Sequence, residues 1–184
     1  MGAQLSKLLP DVHLVNGTAE AIPLESAVAD AVVCAQAFHW FATEAAVAEI
    51  HRVLKPDGRL GMVWNVRDES VDWVAAMTEI ITPYEGDTPR FHSGRWREAF
   101  TGEYFSAPEI TCFPYQHVGS PQEVIMDRFL SVSFIAALPA AQKATVTAQL
   151  LTLIDTHPAL RGRDTVAFQY QTQAYVCRRL PEKA

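Results

Sequence analysis

Between Asp30 and Asn65 the chain spells strand, helix and strand in succession, and that order restricts its fold more than any other feature. Asp30-Ala31-Val32-Val33-Cys34-Ala35 is a continuous run of small and β-branched residues, the pattern of a strand covered on both faces of a parallel sheet. Thr43 offers a capping hydroxyl to a helical repeat in which Val47, Ile50 and Leu54 share one face. Arg52 and Lys55 stand at the negative end of that helix before Pro56-Asp57-Gly58 stops it. Arg59-Leu60-Gly61-Met62-Val63-Trp64-Asn65 then reads as a second buried strand. Two such strands joined by a helix make a crossover unit, which places the chain in the α/β class.

Composition bounds what surrounds this unit. With 184 residues, 49% hydrophobic and 20% charged, the chain is long and apolar enough for one buried core and too short for two full domains with a linker. Fifteen basic against twenty-one acidic residues give a net charge of −6, and no window concentrates Lys and Arg, so nucleic acid is not an expected partner. Cys34, Cys112 and Cys177 are odd in number and far apart, which suits neither a disulfide framework nor a zinc site and fits a reducing cytoplasm. No apolar run reaches the roughly 18 residues of a membrane span, and the first residues show no basic-then-apolar leader, so neither a membrane nor export is expected.

The flanks continue the pattern. Leu5, Leu8 and Leu9 close a helix within residues 1–9 before Pro10, and Val12 to Val15 reads as a short strand bounded by Asn16-Gly17. Trp73, Val74, Met77, Ile80, Ile81 and Tyr84 form a helical stripe that belongs to a core, with Ser70 as its cap. Residues 82–102 are polar but hold Phe91, Trp96 and Phe100, so an ordered surface segment is expected there. Ile110 to Val118 reads as a strand that Pro114 confines to a sheet edge. Ser120-Pro121-Gln122-Glu123 is a capping box with proline at the first helical position, and Leu138-Pro139 opens another helix bearing Val146, Leu150, Leu153 and Ile154 that His157-Pro158 ends. Val166, Phe168 and Tyr170 alternate with polar neighbours as in an antiparallel strand.

Ligands of open α/β sheets gather at the carboxyl ends of the strands. Three stretches lie there: Gly17 to Leu24, the aromatic turn Gln36 to Phe41, and Asn65 to Asp68. Taken alone, each residue has an ordinary alternative. Thr18, Ala19 and Glu20 make a polar turn, Gln36 a solvated loop residue, His39 a packed histidine among aromatics, and Arg67 with Asp68 a solvated pair. His13, His51, His92, His117 and His157 lack metal-site spacing and read as surface or capping residues.

Gly17-Thr18-Ala19-Glu20 with Ile22-Pro23-Leu24, then Asp30-Ala31-Val32-Val33, then Glu49-Ile50-His51-Arg52-Val53-Leu54-Lys55-Pro56-Asp57-Gly58 ahead of a strand, resemble the class I S-adenosylmethionine-dependent methyltransferases. The nearest likeness is to the small-molecule subgroup that includes ubiquinone-pathway and trans-aconitate enzymes. Ala37-Phe38-His39-Trp40-Phe41 is similar to the aconitate-type branch in particular. The resemblance covers Val12 to Asn65 in motifs and the remainder only in element pattern.

This resemblance implies a Rossmann-like α/β sheet of strand order 3-2-1-4-5-7-6. Val12 to Val15 then maps to strand three, Asp30 to Ala35 to strand four, Arg59 to Asn65 to strand five, and the proline-bearing and final strands to six and seven. Strands one and two are absent, as are their Gly-rich turn and terminal acidic residue, and no Gly-x-Gly occurs anywhere. Residues 1–184 are thus expected to form one methyltransferase domain truncated at its N-terminus. Residues 1–70 would carry strands three to five, and residues 71–184 the C-terminal helices, a substrate cover and strands six and seven. The resemblance further implies S-adenosyl-L-methionine as cofactor, with Thr18, Ala19 and Glu20 against the adenine and Ala35 and Gln36 beneath the methionine portion. His39 is then the candidate base or acceptor contact, while Trp40, Asn65 and Arg67 are acceptor-binding, the acceptor being a small molecule such as a carboxylic acid. A general base is optional for methyl transfer, which chiefly needs alignment and a dry site. Without strands one and two the edge of strand four is open to self-association. The alternative is a non-catalytic remnant acting as a binding module. A nicotinamide-dependent oxidoreductase lacks both its Gly-rich fingerprint and a Tyr-Lys pair here.

Overall fold

The computed structural model describes residues 2–182, with side chains from residue 4 onward. Helix α1 (Gly2–Leu8) matches the expected N-terminal helix, whose Met1 lies outside the described residues. The crossover then forms as its sequence demands. Strand β1 (Ala29–Ala35) leads through a short 3₁₀ turn at Phe38–Trp40 into helix α2 (Glu44–Val53), where Thr43 Oγ1 accepts the Ala46 N–H at 3.1 Å. Ala46, Val47, Ile50 and Val53 bury one face of α2. Strand β2 (Leu54–Arg67) begins directly at the end of the helix and runs longer than its apolar segment suggested. Within the Pro56-Asp57-Gly58 turn the left-handed residue is Asp57, with φ 67°. Gly58 is needed for a different reason: a Cβ there would lie 2.8 Å from the Lys55 carbonyl oxygen and 3.1 Å from the buried Leu54 side chain.

Strands β3 (Glu109–Gly119) and β4 (Val166–Arg178) complete a mixed four-stranded sheet of order β1-β2-β4-β3. This is the 4-5-7-6 portion of the class I order, and it puts β3 on the edge that Pro114 required.

Several sequence expectations do not hold. Val12 to Val15 forms no strand, and Val12, Leu14 and Val15 are 46%, 41% and 45% exposed. No sheet strand neighbours it among the described residues, and an unpaired strand has nothing to satisfy its backbone. β1 is not covered on both faces: only Cys34 is buried and Val33 is 67% exposed, because β1 is an edge strand. Ser70 does not cap the next helix. Its hydroxyl donates to Asp68 Oδ1 at 2.6 Å, and helix α3 (Asp72–Ile81) starts beyond it, with Asp72 Oδ1 taking the Trp73 N–H at 2.8 Å.

The chain divides into two compact units. The first comprises the chain up to Met62, Arg90–Glu109 and the chain from Tyr175 onward. Its core joins Val47, Ile50, Leu54, Leu60 and Met62 to an aromatic group of Phe38, Trp96, Phe105 and Tyr175. The 82–102 segment is ordered as expected: Arg95–Ala99 forms a 3₁₀ helix whose buried Trp96 meets Tyr175 edge-on at 5.0 Å and stacks on Phe91 at 6.0 Å. His51 is no surface residue. It is buried against Tyr104 and Phe105, and its Nε2 lies 2.7 Å from the Leu180 carbonyl.

The second unit comprises Val63–Pro89 and Ile110–Ala174. Its capping box forms as read: Glu123 Oε2 accepts the Ser120 N–H at 3.0 Å while Ser120 Oγ accepts the Glu123 N–H at 3.3 Å. A π-helical segment (Gln122–Asp127) follows and passes into α4 (Arg128–Leu130), then α5 (Ser133–Ala136) and α6 (Ala140–Thr156). The apolar stripe of α3 (Trp73, Val74, Met77, Ile81) packs in one cluster with Phe129, Val146, Leu150 and Phe168. Among the described residues no helix is long and apolar enough to cross a membrane.

Candidate functional site

Strand β1 ends in two exposed residues, Ala35 and Gln36, and Gln36 turns the chain through a left-handed conformation at φ 54°. A non-glycine residue there costs on the order of 1 kcal/mol, so the surrounding packing must impose it. That packing is visible two residues on. Phe38 is fully buried, with ring centroids 5.5 Å from Phe100, 5.6 Å from Phe41 and 6.3 Å from Trp96. Driving this ring into the core sets the next two residues at the surface. His39 is half-buried, Trp40 is 49% exposed, and their rings lie 5.5 Å apart, tilted by 37°. Burial, reinforced by the positive charge of Arg90, holds the His39 imidazole below its ordinary pKa. Both effects favour the neutral form of the ring.

The Thr18–Glu20 turn is pinched shut by the Ala21 N–H donating to the Thr18 carbonyl at 3.2 Å. Thr18 and Glu20 are exposed and Ala19 is half-buried. Gly17 permits the closure, since a Cβ there would stand 2.5 Å from Pro23 Cδ and 3.0 Å from the Ala21 oxygen.

The structure thus holds Thr18, Ala19, Glu20, Ala35, Gln36, His39 and Trp40 in the first unit, whereas Asn65 and Arg67 belong to the second. Asn65 is exposed and its Oδ1 accepts the Thr172 hydroxyl at 2.7 Å. Arg67 is half-buried, with Nε 3.9 Å from Glu69 Oε1 and its guanidinium 5.8 Å from the Phe129 ring centre. Both are thus engaged locally, Asn65 by a neighbouring hydroxyl and Arg67 by an aromatic face.

A cavity of about 360 Å³ in the first unit lies among residues not singled out in the sequence, chiefly Arg97, Phe100, Phe105, Ser106 and Tyr175. Of its polar groups, Arg97, Tyr175 and Ser106 already serve one another or the backbone. Arg97 Nη2 donates to the Tyr175 hydroxyl at 3.2 Å and its guanidinium sits 4.3 Å from the Trp96 ring, while Ser106 Oγ accepts the Arg178 N–H at 3.0 Å.

A family model described as a methyltransferase domain matches residues 2–62, the stretch that carries the turn, β1, the aromatic turn and α2. An uncharacterized methyltransferase-like protein of Schizosaccharomyces pombe is 41% identical over 181 residues, covering 97% of this chain and 70% of that protein. The chain belongs to the methyltransferases. An uncharacterized methyltransferase of Mycobacterium bovis is 37% identical over 168 residues, covering 91% of this methyltransferase and 66% of its own length. Among solved structures, a protein of Bacillus halodurans assigned as a methyltransferase aligns with a TM-score of 0.54 at 20% identity, over 96% of this chain and 77% of that one. A protein of Anaeromyxobacter dehalogenans assigned as a type II methyltransferase gives the same TM-score at 18% identity, over 89% of this chain and 68% of that one. These structures support the class I fold; the sequence relatives establish the family.

Some residues of interest in this methyltransferase were not legible as such. Arg90, the cation that acts on His39, sits in a polar stretch with nothing to mark it. Glu49 and Arg52 were visible only as motif letters, although opposite charges three apart on a helix are a readable signal.

Proposed function

We propose that this methyltransferase transfers a methyl group from S-adenosyl-L-methionine to a small-molecule acceptor bearing a carboxylate. The observation that carries the reading is the group after β1: a half-buried, neutral His39 beside exposed Trp40, under the positive field of Arg90. The field that disfavours a proton on His39 favours an anionic acceptor in the same place. His39 would hold that acceptor by its ring N–H or take a proton from it, and Trp40 would wall the site against water.

The cofactor supplies an electrophilic methyl group on a sulfonium centre. On the protein side, Thr18, Ala19 and Glu20 would border the adenine and Ala35 and Gln36 the methionine portion. Small side chains at half-buried Ala19 and exposed Ala35 suit close approach of a flat base and an amino-acid tail. Asn65 and Arg67 remain proposed acceptor contacts.

Full activity requires a Gly-rich loop and an acidic strand end, which this sequence does not contain. We assign the 184 residues to one methyltransferase domain, in the cytoplasm, where the free thiols Cys34, Cys112 and Cys177 suit a reducing medium. The open β1 edge is a site of self-association. A second reading is a non-catalytic binding module.

Isothermal titration with S-adenosylhomocysteine, on this chain and on a form extended upstream, tests the assignment, followed by methyl-transfer assays over a panel of carboxylic acids. Heat from either form supports cofactor binding, and turnover by this chain alone sinks the binding-module reading. No heat from the extended form overturns the proposed cofactor.

A further inference from the structure

The loop that carries the Thr18–Glu20 turn is gripped at a single residue. Glu49 Oε1 accepts the Ile22 N–H at 2.9 Å, and Arg52 Nη2 donates to the Ile22 carbonyl at 3.0 Å. Both backbone groups of Ile22 are thus satisfied by two side chains one turn apart on α2. The two side chains also lock each other, with Arg52 Nε to Glu49 Oε2 and Arg52 Nη2 to Glu49 Oε1 both at 2.7 Å. Arg52 Nη1 reaches Ser26 Oγ at 3.3 Å, extending the grip downstream. The hydrogen bond from Arg52, with that from the Ile22 N–H, keeps the Glu49 carboxyl below the usual range, so the grip is charged at neutral pH. Residues 16–24 are otherwise mostly exposed, and among the described residues the hydrogen bonds tying them to α2 all pass through Ile22.

We infer that Glu49 and Arg52 are positioning residues that fix the shape of the Thr18–Glu20 turn for the adenine end of the cofactor without touching the cofactor themselves. The inference rests on the proposed cofactor role of that turn. Even half-buried, an ion pair three residues apart adds little by itself to the stability of a helix. Its placement on both peptide groups of one loop residue gives it another task. That task needs an arginine: a planar fork spans two carboxylate oxygens and a carbonyl together, which an ammonium on a flexible stem does not.

The variants Arg52→Met, Glu49→Ala and Arg52→Lys, each checked for folding by circular dichroism, test this with two readouts. Amide hydrogen exchange at Ile22 reports the grip, and isothermal titration with S-adenosylhomocysteine reports its consequence. In Arg52→Met and Glu49→Ala, Ile22 exchange accelerates about tenfold or more and ligand affinity falls about as far, with partial recovery in Arg52→Lys. Unchanged Ile22 exchange in both variants overturns the inference. So does accelerated exchange with affinity equal to the wild type, because the shape of the turn then does not matter. No heat from the upstream-extended form with Glu49 and Arg52 intact overturns the cofactor role of the turn itself, an outcome distinct from either.

Discussion

Replacing Gly58 by alanine isolates one steric demand of the helix-to-strand turn. The new Cβ would meet the Lys55 carbonyl oxygen at 2.8 Å, and Leu54 Cβ and Cδ2 at 3.1 Å each. Comfortable non-bonded contacts begin near 3.5 Å, so atoms must separate by about 0.5 Å. Neither side yields easily: Leu54 is fully buried, and the Gly58 carbonyl itself accepts the Arg179 N–H at 3.0 Å. Overpacking of this kind costs about 1–3 kcal/mol, which for a chain of this length lowers Tm by about 2–12 °C. The neighbouring change Asp57→Gly provides the internal control. Asp57 carries the left-handed φ of 67°, so glycine relieves backbone strain there while giving back some unfolded-state entropy, and Tm stays level or rises slightly. Calorimetry on both variants checks the pair. A Gly58→Ala Tm within 1 °C of wild type, measured about a transition sharp enough to resolve it, refutes the steric reasoning. A loss in Asp57→Gly as large as in Gly58→Ala refutes the assignment of roles within the turn.

Phe38→Ala removes a fully buried ring with three aromatic neighbours and should cost about 3–5 kcal/mol by urea unfolding, displacing the His39 and Trp40 signals in NMR spectra of any folded fraction. His39 titrates below the ordinary imidazole value of about 6.5, and Arg90→Gln moves it upward, as NMR titration would show. Because the folded pKa is the lower one, the unfolded chain takes up the proton first. The His39 contribution to stability is whole above about pH 6.5, declines as pH falls, and is lost below the folded pKa. Burial pushes the Cys34 thiol up to about 11 and the Cys177 thiol up to about 12, so a maleimide added to the native chain at pH 8 labels exposed Cys112 alone, read by peptide mass mapping. Val33→Lys puts a charge on the exposed β1 edge and shifts any oligomer toward monomer in sedimentation velocity, with Tm little changed.

What the sequence disclosed depended on whether a signal was local. The Thr43 cap, the Ser120–Glu123 box and the edge position of β3 each follow from residues a few positions apart, and each forms. Val12 to Val15 failed because a strand exists only with a neighbour, and β1 proved exposed because its apolar run records the sheet it suits rather than the strands actually beside it. Ser70 does not cap α3 because its hydroxyl turns back to Asp68 and the helix starts beyond it, at Asp72. At the candidate site, the exposure of Gln36 and Trp40 follows from the burial of Phe38, which depends on Trp96 and Phe100 far along the chain. Neither that dependence nor the influence of Arg90 on His39 leaves a mark in the letters around them.

Pro114 gives the two margins of the sheet unlike fates. At β3 the proline nitrogen offers no donor, so an incoming chain meets a gap in the middle of the ladder. At β1 seven consecutive residues contain no proline and no such gap. Hydrogen-bonded growth of this sheet is therefore one-sided. Two copies meeting β1 to β1 use up the receptive margin of both and leave only proline-broken margins facing outward. A pair formed this way would be closed and would not propagate into a fibre.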